Sequence, residues 1–264
     1  MARSRERASA MIAAGQVRVD GVTATKAATQ VDAAAAVEVR DSGGPEYASR
    51  GGHKLAGALD VFGAPATQPE PGAEPLPTPL VVAGRRCLDA GASTGGFTDV
   101  LLRRGAAAVI AVDVGYGQLA WQLRTDPRVE VRDRTNVRNL GPEEVQPPVD
   151  VIVADLSFIS LTTVLPALDS VAAPDADLVL MVKPQFEVGR KNVSGGVVRH
   201  SELRAQAVRR IADAAWDLGW GTAGVVASPL PGPSGNVEYF VWLRRNADAL
   251  AAADLERAIA EGPQ

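Results

Sequence analysis

From residue 85 onward, short apolar runs alternate with amphipathic segments along the chain. Arg86–Asp89, Val109–Asp113, Val129–Arg132, Val149–Ala154, Leu178–Val182, Gly221–Ala227 and Tyr239–Arg244 are of strand length, and all but the first carry β-branched or aromatic residues. Between them, Phe97–Arg103, Gln118–Arg124, Ile159–Ser170 and Ser201–Leu218 carry apolar residues at helical spacing. Such alternation predicts a parallel sheet with helices on both faces. The last two strands have no helix between them, so they close as a hairpin and leave one strand antiparallel. The expected class is α/β: a mostly parallel, doubly wound sheet with one antiparallel strand, plus a small N-terminal α+β module.

Residues 1–44 read as that module. Ser4 caps a helix through Arg7, Ala8, Met11 and Ile12, and Gly15 ends it in a left-handed cap. Val17-Arg18-Val19-Asp20-Gly21 is an alternating strand running into an Asp-Gly turn, and Val37–Arg40 is a second strand. Asp41–Pro45 reads as a linker. The larger domain, 45–264, opens with Ala48-Ser49-Arg50-Gly51-Gly52-His53-Lys54-Leu55, and Leu59 and Phe62 extend it at helical spacing. The proline-, alanine- and glutamate-rich stretch 63–80 reads as a flexible insertion.

The sharpest local signal is Cys87-Leu88-Asp89-Ala90-Gly91-Ala92-Ser93-Thr94-Gly95-Gly96-Phe97-Thr98. Apolar residues lead into a loop of small residues, and a helix pattern follows. Glycines there let a ligand approach bare backbone, and the N–H groups of a helix start face it. Asp113, closing the next strand, is placed to hydrogen-bond both hydroxyls of a ribose. An adenosine-type cofactor is therefore expected. Gly91–Gly96 lacks the middle glycine of G-x-G-x-x-G, and Asp89 puts negative charge where a pyrophosphate would be repelled. A carboxylate suits a cationic ligand, such as the sulfonium and ammonium of S-adenosylmethionine. On this reading Asp89 and the loop Gly91, Ser93, Thr94, Gly95, Gly96, Phe97 and Thr98 hold the methionine end. Phe97 and Tyr116 either line the pocket or simply pack.

Four ionisable residues stand at positions where such a fold puts its active site, near the carboxyl ends of strands. Asp155 follows Val149–Ala154, Lys183 follows Leu178–Val182, Glu238 precedes Tyr239–Arg244, and Lys54 lies on the helix before the sheet. Any one of them could be the chain returning to solvent. Together, beside a cofactor loop, they form a candidate catalytic set.

Composition narrows the classes. The chain has 264 residues, with 46% hydrophobic and 22% charged residues, ordinary for a soluble globular protein. No apolar stretch approaches the roughly 20 residues needed to cross a bilayer, and no signal-peptide core follows the basic start. The expected location is cytoplasmic. One cysteine, Cys87, and two histidines far apart leave no metal-site spacing. The net charge of −4 argues against nucleic acid as a partner, but Arg3, Arg5, Arg7, Arg18 and Lys26 make the N-terminus locally basic.

These strings carry a resemblance. Ser4–Ala8, Ile12, Gly15, Val17, Val19, Asp20 and Gly21 resemble the S4-type RNA-binding domain. Members of that family start with a further helix, so the resemblance is to an N-terminally truncated module. It implies that Arg3, Arg5, Arg7 and Arg18 press on structured RNA. Arg50 and His53, in the string that opens the larger domain, are further candidate RNA contacts, although a lone histidine is more often structural. The set Lys54, Asp155, Lys183 and Glu238 resembles the tetrad of RNA 2′-O-methyltransferases with the FtsJ-like fold, the methyltransferase form of the Rossmann-like sheet. The longer strings Arg50–Leu55, Asp89–Thr98, Asp113–Leu119, Asp155–Ser160, Lys183–Glu187 and Ser228–Tyr239 resemble the TlyA family over nearly the whole chain. Those proteins methylate ribosomal RNA and are also labelled hemolysin-like.

The resemblance implies S-adenosylmethionine as cofactor and ribosomal RNA or a ribosomal subunit as partner. The target is a cytidine ribose in 23S RNA, in some members also in 16S RNA; the short N-terminal module leans toward the narrower range. Lys183 deprotonates or steers the hydroxyl, and would act as a base only with a lowered pKa. Lys54 and the sulfonium favour that lowering and Asp155 opposes it, so steering is favoured. Asp155 orients Lys183 and borders the cofactor, and Glu238 holds Lys54 or the ribose. Asn136 lies near the adenine, with Asp133 as competitor.

Three rival readings are weighed. A membrane-lytic protein needs a long apolar span or a strongly amphipathic basic helix, and Arg204–Leu218 fits a helix packed on the sheet better. A non-catalytic RNA-binding assembly factor would not need the intact tetrad. A nicotinamide oxidoreductase is disfavoured by the loop spacing.

Overall fold

The computed structural model describes residues 8–9, 11–12, 15–28, 30–32, 35–39, 46–64, 78–232 and 234–262. Arg3, Arg5, Arg7, the helix start at Ser4, the linker 41–45 and most of the 63–80 insertion lie outside them. The chain divides into two compact units, 1–46 and 47–264.

In the first unit β1 (Val17–Val19) is flanked by β2 (Val22–Thr23) and β3 (Val37–Val39), both antiparallel to it. Asp20 (φ 49°) and Gly21 (φ 80°) are both left-handed, the geometry a two-residue hairpin turn requires, and Val19 pairs with Val22. The Asp20 carboxylate accepts the Ala36 N–H at 2.8 Å, which fastens the approach to β3. Ala8, Ser9, Met11 and Ile12 are helical. Gly15 ends that helix at φ 68°, with Gln16 N–H bonded to Met11 O at 2.9 Å, so the expected left-handed cap is present.

The second unit is built on a seven-stranded sheet. Its strands are β4 (Arg86–Ala90), β5 (Ala108–Val112), β6 (Val129–Arg132), β7 (Val149–Ala154), β8 (Ala172–Val182), β9 (Gly221–Ala227) and β10 (Tyr239–Arg244). The spatial order is β6-β5-β4-β7-β8-β10-β9, and β10 is antiparallel to both its neighbours. The expected closing hairpin and single reversed strand are therefore found. Helices α1 (Gly51–Phe62), α2 (Gly96–Arg103), α3 (Trp121–Arg124), α4 (Leu161–Val171), α5 (Pro184–Glu187), α6 (Ser201–Trp216) and α7 (Ala252–Glu261) complete the unit.

Alternation along each strand feeds two separate cores. Leu88, Ile110, Ile152 and Leu178 point to the face covered by α4, α6 and α7, whereas Cys87, Val109, Val151 and Val179 point to the face covered by α1 and α2. Burial pushes the Cys87 thiol up to about 12, so it is a core residue and not a nucleophile. The strand order reverses direction between β4 and β7, and this opens a crevice at their carboxyl ends.

Two boundaries differ from expectation. Strand β8 starts at Ala172 and not at Leu178, because the polar Asp177 is buried inside the sheet and accepts hydrogen bonds from Arg85, Arg244 and the Trp242 indole. Helix α3 begins at Trp121 and not at Gln118. The chain before it is held to the glycine loop by Ala120 N–H to Thr94 O at 3.2 Å, and Gly117 is left-handed.

Candidate active site

The glycine loop follows β4 and turns into α2 at the crevice. Asp89 is fully buried at the end of β4, and its Oδ2 accepts the Thr98 hydroxyl at 2.6 Å; its Oδ1 has no partner. Burial raises this carboxyl to about 7; the Thr98 hydrogen bond opposes the shift, and the charges of Asp155 and Asp113 add to it. Gly91 is left-handed (φ 89°), and a Cβ there would stand 2.6 Å from the Asp155 carbonyl oxygen. At Gly96 a Cβ would stand 2.2 Å from the Ser49 hydroxyl and 2.8 Å from Gly52 N. The small residues thus let three segments of backbone close on one another: the loop, the start of α1 and the end of β7.

Asp113 follows β5, with one oxygen accepting Ser93 N–H at 2.8 Å and the other Gly115 N–H at 2.7 Å. It is half-buried beside the loop, as expected for its place in the sequence. Asn136 spends its side-chain oxygen on Arg138 N–H at 3.1 Å, capping a short 3₁₀ turn, and Asp133 takes Gly117 N–H and Arg124.

A cavity of about 580 Å³ opens at this crevice. Lys54, Asp155, Lys183 and Glu238 all line it, together with Gly91, Ser93, Gly96, Phe97 and Arg50. The four ionisable residues, separated by up to 184 positions in sequence, are arranged as two lysine–carboxylate pairs. Lys54 Nζ bonds Glu238 Oε2 at 2.5 Å, with both side chains buried. Lys183 Nζ lies 2.6 Å from Asp155 Oδ1 and donates a hydrogen bond to the Ser157 hydroxyl at 2.8 Å. Topology explains the meeting: Asp155 leaves β7, Lys183 leaves the adjacent parallel β8, and Glu238 enters β10, which pairs with β8 in reverse.

Thr94, Gly95, Thr98, Asp89, Asp113 and Asn136 do not face this cavity. The first five support the loop or stand beside it, and Asn136 lies on the segment that follows β6. His53 is also outside the cavity lining, with its ring edge-on to Tyr47 at 5.0 Å, whereas Arg50 lines the cavity and reaches Pro231 O at 3.4 Å. Arg18 lies on β1 in the separate first unit.

Sequence reasoning assigned no role to Ser157, Phe158 or Phe186. Phe158 is 91% exposed at a left-handed φ of 65°, lines the cavity, and packs on Phe186 with ring centres 5.3 Å apart. The available signal was the run of polar and aromatic residues directly after Asp155 and Lys183, where both strands end.

Comparison with known proteins shows the family. Residues 47–245 match the FtsJ-like methyltransferase family, and residues 1–37 match the S4 domain. The chain is 57% identical over 269 residues to 16S/23S rRNA (cytidine-2′-O)-methyltransferase TlyA of Mycobacterium tuberculosis, covering 100% of this chain and 94% of that one. It is 37% identical over 238 residues to Hemolysin A of Brachyspira hyodysenteriae, covering 89% of this chain and 92% of the relative. A solved structure of a hemolysin-named protein from Streptococcus thermophilus superposes with a TM-score of 0.77 at 33% identity, covering 98% of this chain and 90% of that one. Among the described residues no helix is long and apolar enough to cross a membrane. The chain, with an S4-matching N-terminal module, belongs to the FtsJ-like methyltransferase family, within the TlyA group.

Proposed function

We propose that this protein transfers a methyl group from S-adenosylmethionine to the 2′-hydroxyl of cytidine ribose in ribosomal RNA, acting in the cytoplasm on free RNA or a ribosomal subunit. One observation carries the reading: the pairs Lys54–Glu238 and Lys183–Asp155 share a single cavity with the glycine loop. The 57% identity to a 16S/23S enzyme favours targets in both RNAs over the narrower range that the short N-terminal module suggested.

The residues present suit the cofactor. Asp89 keeps a buried oxygen without a partner, Gly91 and Gly96 leave no room for a side chain, and Asp113 stands at the end of the neighbouring strand. The loop backbone would hold the methionine end, with Asp89 as the negative charge buried behind it, and Asp113, beside the cavity, would take the ribose. S-adenosylmethionine supplies a methyl carried on positive sulfur. Lys183 would orient the ribose hydroxyl for in-line attack, with Ser157 and Asp155 fixing its Nζ. Lys54, held by Glu238, would bind the ribose or its phosphate as a fixed cation. Phe158, exposed at the cavity rim, offers a face on which a base can stack. Arg3, Arg5, Arg7 and Arg18 of the S4-matching segment and Arg50 at the cavity would contact RNA phosphates.

The test is tritiated methyl transfer to ribosomal subunits that lack the modification, with Lys183→Ala beside the wild-type chain. The expected result is label in alkali-resistant, ribose-methylated dinucleotides, reduced about a hundredfold in the variant, the order for losing the group that orients a reacting atom. Cofactor binding without transfer to either subunit would overturn the reading in favour of a non-catalytic RNA-binding factor.

A further inference from the structure

Three contacts join the segment after β7 to the segment after β8. Lys183 reaches Asp155 and Ser157, Phe186 packs on Phe158, and Glu187 grips the start of α4. The first two face the cavity. The third lies behind it: Glu187 is 3% exposed and does not line the cavity.

Glu187 uses both carboxylate oxygens on one target. Oε1 accepts Leu161 N–H at 2.9 Å, and Oε2 accepts the Ser160 hydroxyl at 2.5 Å. Ser160 is the N-cap of α4, and a carboxylate at a helix N-terminus is favoured by the free N–H groups there. From the other side, Arg210 of α6 donates to the Glu187 carbonyl oxygen at 2.7 Å. The short helix α5 is therefore bolted between α4 and α6. Lys183 is its N-cap, four residues from the bolt, and Ser157 is three residues from Ser160. The joint sets how far the two strand ends stand apart, and hence where Lys183 Nζ sits against Asp155 and Ser157.

We propose that Glu187 is a positioning residue for methyl transfer: it touches neither RNA nor cofactor, and it fixes the Lys183–Asp155–Ser157 geometry through α5 and the N-terminus of α4. The inference rests on the function proposed above. A carboxylate joint that only stabilised the fold would change the folded fraction and leave the rate per folded molecule alone. A positioning joint changes the rate at saturation and leaves half-saturation for cofactor alone, because the cofactor loop lies on another segment.

The experiment is single-turnover methyl transfer to ribosomal subunits by the full chain, well below each variant's melting temperature. Wild type, Glu187→Ala, Glu187→Gln and Ser160→Ala are compared, with calorimetric cofactor binding in parallel. Glu187→Ala is expected to lower the saturating rate at least tenfold, with half-saturation for cofactor within twofold of wild type. Glu187→Gln, whose amide still accepts Leu161 N–H, is expected to recover most of the rate. Ser160→Ala, which cuts one bond and changes little volume, is expected to cost about threefold and remains informative if Glu187→Ala does not fold.

A wild-type rate in Glu187→Ala or Ser160→Ala would overturn the proposal, as would a loss matching the unfolded fraction or residing in half-saturation for cofactor. A crystal structure of Glu187→Ala with Lys183 Nζ still 2.6 Å from Asp155 would overturn it whatever the activity. Failure of the wild-type chain to transfer methyl would instead sink the functional reading on which the proposal stands.

Discussion

Lys183 donates its hydrogen bond to Ser157 at 2.8 Å, while Asp155 Oδ1, at 2.6 Å, meets it as an ion-pair partner outside hydrogen-bond alignment. The hydroxyl fixes the direction of the ammonium, and the carboxylate supplies charge. Removing each should therefore have a different effect. Ser157→Ala keeps the charge partner and frees the direction, so the methyl-transfer rate should fall about tenfold, or roughly 1.4 kcal/mol of barrier. Cofactor affinity should hold within twofold. Rate measurements at saturating cofactor and RNA, with calorimetry alongside, check both; an unchanged rate would show that Asp155 alone suffices.

The Lys54–Glu238 pair poses a different problem, because both partners are buried. Removing one partner leaves an uncompensated charge in the interior and typically costs about 3–5 kcal/mol, whereas removing both charges is nearly neutral. Lys54→Met alone should lower the urea midpoint strongly. The double variant Lys54→Met/Glu238→Gln should regain most of that stability and still transfer no methyl. Recovery of activity along with stability would reduce the pair to a structural role.

Asp89 makes stability depend on pH in an unusual direction. Its carboxyl is raised to about 7 in the folded chain, against about 3.9 when unfolded. Between those values the unfolded chain has released the proton and the folded chain keeps it. Stability contributed by this group is therefore complete below pH 4 and is lost as pH rises to 7, by roughly 4 kcal/mol in total. The cofactor-free protein should have a lower urea midpoint at pH 8 than at pH 5 from this source, and Asp89→Asn should remove that difference. Binding of a ligand ammonium favours ionised Asp89, so saturating S-adenosylmethionine should also flatten the slope. Equal slopes for wild type and Asp89→Asn would rule the assignment out.

The sheet was legible because its strands alternate two sets of apolar residues, each with its own core, and because no helix pattern separates β9 from β10. The glycine loop and three of the four cavity-lining ionisable residues, Asp155, Lys183 and Glu238, were legible because each stands next to a strand end, and Lys54 because it lies in the polar string that opens the larger domain. Other features depended on partners distant in sequence. Asp177 looks like a surface residue until Arg85, Arg244 and Trp242 are brought to it. Ser157 gains a role only when Lys183 arrives from the next strand, and Glu187 only when the start of α4 does. Asn136 does not line the cavity, and its oxygen is committed to a local cap, which no spacing argument shows.

Gly91 ties the two halves of the site together, and its replacement gives the sharpest test of that coupling. Its φ of 89° is open to glycine and strained for any other residue, and an added Cβ would come within 2.6 Å of the Asp155 carbonyl oxygen. The obstructing atom is backbone, so it cannot swing aside as a flexible side chain would. Relief requires either the loop or the end of β7 to move. The loop is held by Gly91 N–H to Val112 O at 2.8 Å, and the end of β7 by Asp155 N–H to Ala90 O at 3.0 Å. Gly91→Ala should therefore weaken cofactor binding at least tenfold and also displace Asp155 from Lys183, so that the rate stays low at saturating cofactor. Gly117→Ala is the control. It too is left-handed (φ 68°), but a Cβ there meets nothing within 4 Å. It should cost about 1 kcal/mol of stability and leave the saturating rate intact. A Gly91→Ala protein whose rate recovers fully at high cofactor would show that the loop yields alone and that Asp155 keeps its place.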